Sequence, residues 1–437
     1  MEAEVKSNSV LKLDLGYEIP EQSAVQGFDF SGDIESINEK IPGLHDIVKC
    51  IRLAKTDKNI KGIYYPMQGN SNSMACNEVI RKALEDFKTS GKFVISYGET
   101  PSQKDYYLAT AGTGIYLNPK GMFDFRGFGA QITFYTGLLK KLDVDVQIVH
   151  RGKFKSAIEP FYLDSISAPN REQLTLLLND IYQPFLKDVS QSRKIDMTKL
   201  GMICDSAKAF LPYQALAYKM VDGLKYYDEI ETMLRQNTGK KEDEKINFVS
   251  LKSYCTKLKK ELLRSEQIAV VYAEGTIVDG KGDEGQIGGD TYAKLFSKLR
   301  NDEKVKAIVL RINSPGGSAM ASEIMWRELK LLHDKKPMVV SMGSVAASGG
   351  YYIASTGSKI FVQQNTITGS IGVFGLIPNL KRFLNNKLGV TQDEVEITQH
   401  GVLALGMSPL DNYELKMIEE NIDSTYGTFK KRVAVHK

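Results

Sequence analysis

Two short apolar segments in the second half of the chain define the first predicted elements. Ala307–Ile312 and Met338–Ser341 are rich in valine and isoleucine, and each is followed by a loop of small residues, at 314–318 and 343–350. A helical pattern follows each loop. Strands that alternate with helices are typical of α/β folds, in which functional loops lie at the carboxyl ends of the strands. The pattern therefore predicts an α/β fold.

The first half of the chain contains a second copy of this pattern. Residues 58–73 align with 303–318, and residues 91–117 align with 336–362, at a constant offset of 245 positions. A repeat of this kind indicates that one structural unit occurs twice.

The repeat predicts the domain organisation. We expect one domain at residues 1–236, a second at residues 266–437, and a charged linker with a short helix at residues 237–265. Two segments with helical periodicity and charged outer faces, 170–193 and 411–432, also align with each other. We expect them to pack on the sheets as helices.

Small residues around Ser348 form a candidate catalytic site. Ser348 precedes Gly349-Gly350 at the start of a predicted helix, 351–356, where it meets no bulky neighbour and the helix dipole is positive. The loop with Gly316 and Gly317 can present backbone N–H groups to a ligand. A hydroxyl nucleophile with oxyanion donors, from Gly349 and either Gly316 or Gly317, predicts acyl-transfer chemistry. The alternative is that both loops are ordinary turns.

The two copies differ at this candidate site. Gln103 corresponds to Ser348, and Ser71-Asn72 correspond to Gly316-Gly317. A purely structural turn would be needed in both copies. Its absence from the first copy favours a catalytic role in the second.

A serine hydroxyl needs a base, and the residues alone do not identify it. The five histidines are scattered singly, so no triad arrangement is recognisable. A buried lysine is the alternative base, because desolvation disfavours its charged form. At this level every lysine of the chain stays a candidate.

Three motifs of the second copy, NSPGGS, SVAASGGYYIA and TGSIGVFG, resemble the signal peptide peptidase A (protease IV) family of serine proteases. The resemblance extends over nearly the whole chain. It implies two tandem Clp-protease/crotonase-like repeats built from β-β-α units, and a Ser–Lys dyad. The segment HRGKFKSAIEPF, after a predicted strand at 144–149, is similar to the family segment with the lysine base. The match assigns that role to Lys155, with Lys153 as the neighbour to exclude.

The resemblance also implies a supporting role for Ser370, which matches a family serine that orients the lysine; by itself it is equally a turn serine before a strand. The first repeat would supply Lys155 and the second Ser348. We therefore expect one composite site between the repeats. Because the base must be neutral, activity should rise toward alkaline pH.

By the same resemblance, the substrates would be signal-peptide remnants and other apolar or unfolded peptides. The assembly would be a homotetramer at the bacterial inner membrane, with the catalytic domain on the periplasmic side, and no metal or cofactor is implied. Family members usually have an N-terminal membrane anchor and a closing segment in the second repeat, similar to Ile195–Leu234 of the first. We expect this chain to lack both, as a fragment or a truncated relative would, and to be soluble as given.

Composition argues against several other classes of protein. Lys+Arg 57 against Asp+Glu 53 is too small an excess to indicate nucleic-acid binding. The four cysteines have no CxxC spacing and HExxH is absent, so we expect neither a disulfide framework nor a zinc site. Two long uncharged stretches, 337–358 and 360–380, contain too many polar residues to span a membrane. We interpret both as buried α/β segments.

Two other functions stay open. A truncated member of the fold could be a scaffold that does not cleave peptides. The crotonase type of fold also includes acyl-CoA enzymes, which use backbone oxyanion donors, although Ser348 and Lys155 would then lack a role.

Overall fold

A computed structural model describes residues 5–25, 40–258, 265–398, 400–402 and 406–434. The chain forms two compact units. Unit 1 comprises residues 1–128, 179–265 and 362–366, and unit 2 comprises residues 129–178, 266–361 and 367–437. Residues 129–178 belong in sequence to the first repeat, yet they lie in the unit that contains most of the second. The predicted domain boundaries stay a prediction.

Strands and helices alternate along much of the chain up to residue 265. The strands are β1 (Ser9–Lys12), β2 (Ala24–Val25), β3 (Lys40–Ile41), β4 (Ile60–Pro66), β5 (Phe93–Gly98), β6 (Gly114–Leu117), β7 (Asp145–Arg151), β8 (Gly223–Leu224) and β9 (Asn247–Ser250). The helices are α1 (Leu44–Thr56), α2 (Met74–Lys88), α3 (Gln103–Ala109), α4 (Thr136–Lys141), α5 (Ala168–Arg193), α6 (Met197–Asp205), α7 (Pro212–Ala217), α8 (Tyr227–Asn237) and α9 (Leu251–Cys255).

Unit 1 is built on a parallel sheet in the order β8-β6-β5-β4-β1-β9. One face packs on α1 and α2, whose apolar residues recur at helical spacing, and Ser73 caps α2 by accepting the N–H of Cys76. The other face is covered by α8, where Ile230 and Leu234 are fully buried. Strand β9, inside the segment predicted as a linker, pairs with β1 and was not anticipated from the sequence.

One expectation about the cysteines is wrong. Cys50 on α1 and Cys255 on α9 form a disulfide, with Cα atoms 5.6 Å apart, and Cys76 and Cys204 are buried and do not belong to this disulfide. The two partners are 205 positions apart in sequence. Spacing motifs could not reveal this pair because the fold, and not the local sequence, brings α1 and α9 together.

The remaining elements follow residue 265. The strands are β10 (Gln267–Glu274), β11 (Thr276–Val278), β12 (Gln286–Gly288), β13 (Val305–Ser314), β14 (Met338–Ala347), β15 (Ile360–Phe361), β16 (Ile367–Gly369) and β17 (Val373–Asn379). The helices are α10 (Gly289–Asn301), α11 (Ala319–His333), α12 (Gly349–Ala354), α13 (Lys381–Phe383) and α14 (Asn412–Ala434).

Unit 2 has its own parallel sheet, in the order β10-β13-β14-β15, and β16 also pairs with β14. The α/β fold with parallel sheets is therefore confirmed, and α5 and α14 are found where helical periodicity predicted them. Strand β14 is longer than expected. Its small residues 345–347 pair with 367–369 of β16, so the predicted loop is mostly strand and ends at the candidate nucleophile.

A second sheet in unit 2 consists of β7 and β17, which pair in an antiparallel ribbon from Arg151–Val373 to Asp145–Asn379. Helix α14 packs on both strands. The side chain of Arg151 forms a two-pronged ion pair with Asp423 of α14. The loop that contains Lys155 follows β7 and the turn that contains Ser370 precedes β17, so both lie at the same end of this ribbon.

The stretch 360–380 is less buried than expected. Phe361 and Phe374 are exposed, as are Ile360, Ile367 and Ile371, so the interpretation as a buried segment holds for 337–358 only. Among the residues that the structure describes, no helix is both long and apolar enough to cross a membrane.

Candidate active site

Ser348 occupies the junction between β14 and α12. Its backbone has φ +52° and ψ −117°, a conformation that costs energy for a residue with a side chain. Two backbone hydrogen bonds hold the turn: the Ser348 N–H donates to Gly369 O at 3.0 Å, and the Tyr352 N–H donates to Ser348 O at 2.9 Å. A strained but well-anchored residue at the end of a buried strand is a common arrangement for a catalytic nucleophile.

Lys155 lies directly opposite Ser348. Its Nζ is 3.0 Å from Ser348 Oγ, 3.1 Å from Ser370 Oγ and 3.3 Å from Ser370 O. The residue is only 8% exposed, and the ring of Phe374 lies 5.8 Å from Nζ. The structure thus brings together the three side chains that the sequence singled out.

The surroundings of Lys155 favour a neutral amine. Burial lowers the pKa of Lys155 from 10.5 to about 8, and no charged neighbour contributes to this shift among the described residues. A neutral amine has two N–H donors and one lone pair. The two donors suit the hydroxyl and carbonyl oxygens of Ser370, and the lone pair suits the hydroxyl proton of Ser348.

Lys153 is a poor alternative to Lys155. Its side chain is 65% exposed and lies 3.7 Å from the carboxylate of Glu172. Its Nζ is also 4.7 Å from the ring of Phe154. An exposed, ion-paired lysine lacks the burial that lowers the pKa of Lys155.

Glycines allow the lysine side chain to reach the serine. A Cβ at Gly372, just before β17, would lie 2.7 Å from Arg151 O and 3.0 Å from Lys155 Cβ. A Cβ at Gly152, where φ is +105°, would lie 3.1 Å from Ile371 O. Sequence reasoning did not single out either glycine, although Gly372 belongs to the TGSIG motif and could have been noticed there.

The three predicted oxyanion-hole glycines have different environments. The Gly316 N–H donates to Ser314 Oγ at 3.1 Å, so it is already bonded. The N–H groups of Gly317 and Gly349 donate no hydrogen bond to any residue that the structure describes. A Cβ at Gly316 would lie 2.6 Å from Gly349 N and 2.8 Å from Ser348 Cβ, so Gly316 leaves the space beside the nucleophile open.

The corresponding place in the first copy is closed by Gln103. Its side-chain amide donates to Gly127 O at 2.6 Å, and its oxygen accepts the N–H groups of Gly127 and Arg126 at 2.7 and 2.8 Å. At the constant offset, Gly127 is the counterpart of Gly372. The first copy therefore has a structural amide where the second has a hydroxyl beside a lysine.

Fold and site together define an α/β protein of the Clp-protease type with a serine and a buried lysine in hydrogen-bond contact. Two family models match the chain: peptidase family S49 at residues 86–241 and 330–437, and Clp protease at residues 262–367. The first covers more than half of the chain. The chain belongs to peptidase family S49, which confirms the resemblance found in the sequence.

Curated relatives are similar over most of this chain. Protease 4 of Salmonella typhi is 37% identical over 405 residues, which are 90% of this chain and 64% of that protein. Protease 4 of Haemophilus influenzae is 35% identical, over 89% of this chain and 65% of that protein. The chloroplastic serine protease SPPA of Arabidopsis thaliana is 32% identical, over 88% and 58%. The chain thus spans somewhat under two thirds of the length of these relatives.

Proposed function

We propose that this chain is a serine peptidase in which Ser348 is the nucleophile and Lys155 the general base. The observation that supports this most directly is the 3.0 Å contact between Lys155 Nζ and Ser348 Oγ, made by an amine that is buried without a counter-charge. A serine hydroxyl is a weak nucleophile, and an adjacent base with a pKa near the working pH activates it.

The reaction follows from these positions. Neutral Lys155 takes the proton of Ser348 as Oγ attacks the peptide carbonyl, and the tetrahedral oxyanion forms. The resulting ammonium then protonates the leaving amine, which leaves an acyl-enzyme and a neutral lysine again. Water attacks the acyl-enzyme with Lys155 as base, and Ser348 regains its proton.

We assign the oxyanion donors to the N–H groups of Gly317 and Gly349. Both are unbonded within the described part of the chain, and Gly349 begins α12, where the helix dipole favours negative charge. Gly316 instead provides space, because its own N–H is used by Ser314. Ser370 orients Lys155 through its hydroxyl and its carbonyl oxygen.

The substrate class rests on similarity to relatives. A protein of Enterococcus faecium named as a putative signal peptide peptidase SppA is 35% identical over 153 residues, 34% of this chain and 43% of that protein. We therefore propose cleaved signal peptides and other apolar or unfolded peptides as substrates. A homotetramer that acts at the periplasmic side of a bacterial inner membrane belongs to the same proposal.

A covalent probe tests the proposed function. Intact mass is measured after treatment with a fluorophosphonate, for the wild type, Ser348→Ala, Lys155→Ala and, as a matched control, Lys153→Ala. We expect single-site labelling that is lost in the first two variants and kept in the third. Labelling that survives Lys155→Ala would move the base elsewhere. A folded wild type that is not labelled would favour a scaffold without catalysis.

A further inference from the structure

A buried carboxylate lies four positions after the proposed base. Glu159 is 6% exposed, and among the described residues no lysine, arginine or histidine forms an ion pair with it. Its oxygens instead accept the Ser167 N–H at 3.3 Å, the Ser167 hydroxyl, and the Asn170 side-chain amide at 2.8 Å. An unpaired carboxylate is costly to bury, so these donors at the start of α5 are what makes its position stable.

The bonds of Glu159 tie the loop that contains Lys155 to α5. The loop begins at Gly152, whose carbonyl accepts the Lys155 N–H at 3.1 Å, and it ends in a 3₁₀ turn at Glu159–Phe161. A second tie starts beside the base, where Ser156 Oγ accepts the side-chain amide of Gln173. Lys155 is therefore followed, one and four positions later, by two side chains that are bonded to the first turns of one long helix.

We propose that Glu159 is a positioning residue for the base: its carboxylate docks the Lys155 loop on the N-terminal turn of α5 and thereby holds Nζ against Ser348. This inference rests on the proposed function. Ser167 precedes α5 and its hydroxyl also accepts the Asn170 N–H at 3.2 Å, so Glu159 receives donors from an ordered helix start. An anionic acceptor is favoured there by the helix dipole.

If Glu159 positions the base, its removal should change the pKa of Lys155 in one definite direction. If the loop loosens, water reaches Lys155 and its pKa rises toward the ordinary value. Loss of the Glu159 charge cannot cause such a rise, because a carboxylate stabilises an ammonium and its removal could only lower the pKa. Among the described residues no charged neighbour contributes to the lowered pKa of Lys155. Two ion pairs lie near this loop, Arg151 with Asp423 and Lys153 with Glu172, and the charged side chains of Asp164 and Arg171 are exposed. A raised base pKa would therefore report loosening.

The test compares Glu159→Ala, Glu159→Gln and the wild type. Glu172→Gln is the matched control, since it removes an exposed carboxylate of the same helix together with its solvated ion pair to Lys153 and leaves the buried hydrogen bonds of Glu159 and the Ser156–Gln173 bond in place. The rate constant of fluorophosphonate labelling is measured from pH 6 to 10, with the melting temperature of each variant. For Glu159→Ala we expect a loss of about tenfold or more at pH 8 and a base pKa raised by at least about half a unit. Glu159→Gln, which keeps one acceptor oxygen, should be intermediate, and Glu172→Gln should match the wild type.

A Glu159→Ala variant with the wild-type rate and base pKa would overturn the inference. So would a loss of rate that only tracks the folded fraction, with an unchanged base pKa. If the wild type itself is not labelled, the proposed function fails, and a second readout decides on Glu159. That readout is the NMR titration of the Lys155 side chain, assigned by its absence in Lys155→Arg. An unchanged titration in Glu159→Ala would again overturn the inference.

Discussion

Lys155 Nζ and Ser348 Oγ are 3.0 Å apart although 193 positions separate the two residues in sequence. The contact depends on the β7–β17 ribbon, which places the end of β7 beside the start of β17, and on the pairing of β14 with β16. Burial without a counter-charge then makes the amine a base. The reactivity of Ser348 should therefore depend on the protonation state and on the exact position of this one amine.

The first prediction concerns the pH dependence of Ser348 labelling. Because burial lowers the pKa of Lys155 to about 8, the neutral fraction rises roughly tenfold per pH unit below that value and levels off above it. The rate constant for fluorophosphonate labelling should therefore increase with pH and reach a plateau above about pH 9. Stopped-time mass spectrometry gives this rate. Lys153→Ala should show the same profile, and a flat profile between pH 6 and 9 would argue against Lys155 as the base.

The second prediction concerns stability. The folded pKa of Lys155 lies below the unfolded value of 10.5, so the unfolded chain binds more protons between about pH 8 and pH 10.5. The free energy of unfolding should therefore rise with pH across that window. Below pH 8 the folded protein bears the full destabilisation caused by burying the ammonium of Lys155. Lys155→Met removes the penalty, which is at most about 3 kcal/mol. Since the bonds to Ser370 are lost as well, we expect a net gain of about 1–2 kcal/mol at pH 7.

Denaturant unfolding of the wild type and Lys155→Met at pH 7 and pH 10 checks this prediction. The difference between the two proteins should shrink at the higher pH. A Lys155→Met protein that is less stable than the wild type at pH 7 would contradict it.

The third prediction concerns Ser370. Its hydroxyl provides one of two oxygens that hold Lys155 Nζ, while the carbonyl stays in any variant. Ser370→Ala should lower the labelling rate about five- to twelvefold, the equivalent of one hydrogen bond at about 1–1.5 kcal/mol. Ser370 has φ +53°, so Ser370→Gly removes the same hydroxyl but suits the backbone better. Ser370→Gly should be more stable than Ser370→Ala and should be labelled equally slowly. Wild-type labelling rates in both variants would show that Ser370 does not assist Lys155.

The fourth prediction concerns Gly316. An alanine Cβ there would meet Gly349 N at 2.6 Å, and φ is +97°, which L-residues rarely adopt. Gly316→Ala should displace the Ser348 turn and lower the labelling rate by about a hundredfold or more. Gly427→Ala is the control, because Gly427 lies inside α14 and nothing lies within 4 Å of the position that its new methyl group would take. Gly427→Ala should keep the labelling rate and gain about 0.5–1 kcal/mol of stability. A Gly316→Ala protein with the full labelling rate would refute the role of Gly316.

Much of the fold was predictable because its signals are local. The valine- and isoleucine-rich segments before small-residue loops predicted β13 and β14, and helical periodicity predicted α5 and α14. The end of β14 was missed, because its small residues owe their strand conformation to pairing with β16. Strand β9 was missed for the same reason, since it is short and depends on β1.

The candidate site divides in the same way. The sequence by itself determined that only the second copy has a serine at this position, since Gln103 is the counterpart of Ser348 at the constant offset. The family resemblance pointed to Lys155 and Ser370. Only the tertiary structure decided which lysine is buried, because desolvation depends on what packs around Nζ. It also distinguished Gly316 from Gly317 and paired Cys50 with Cys255. Distances across a fold come from strand register and packing, which a linear pattern of residues does not contain.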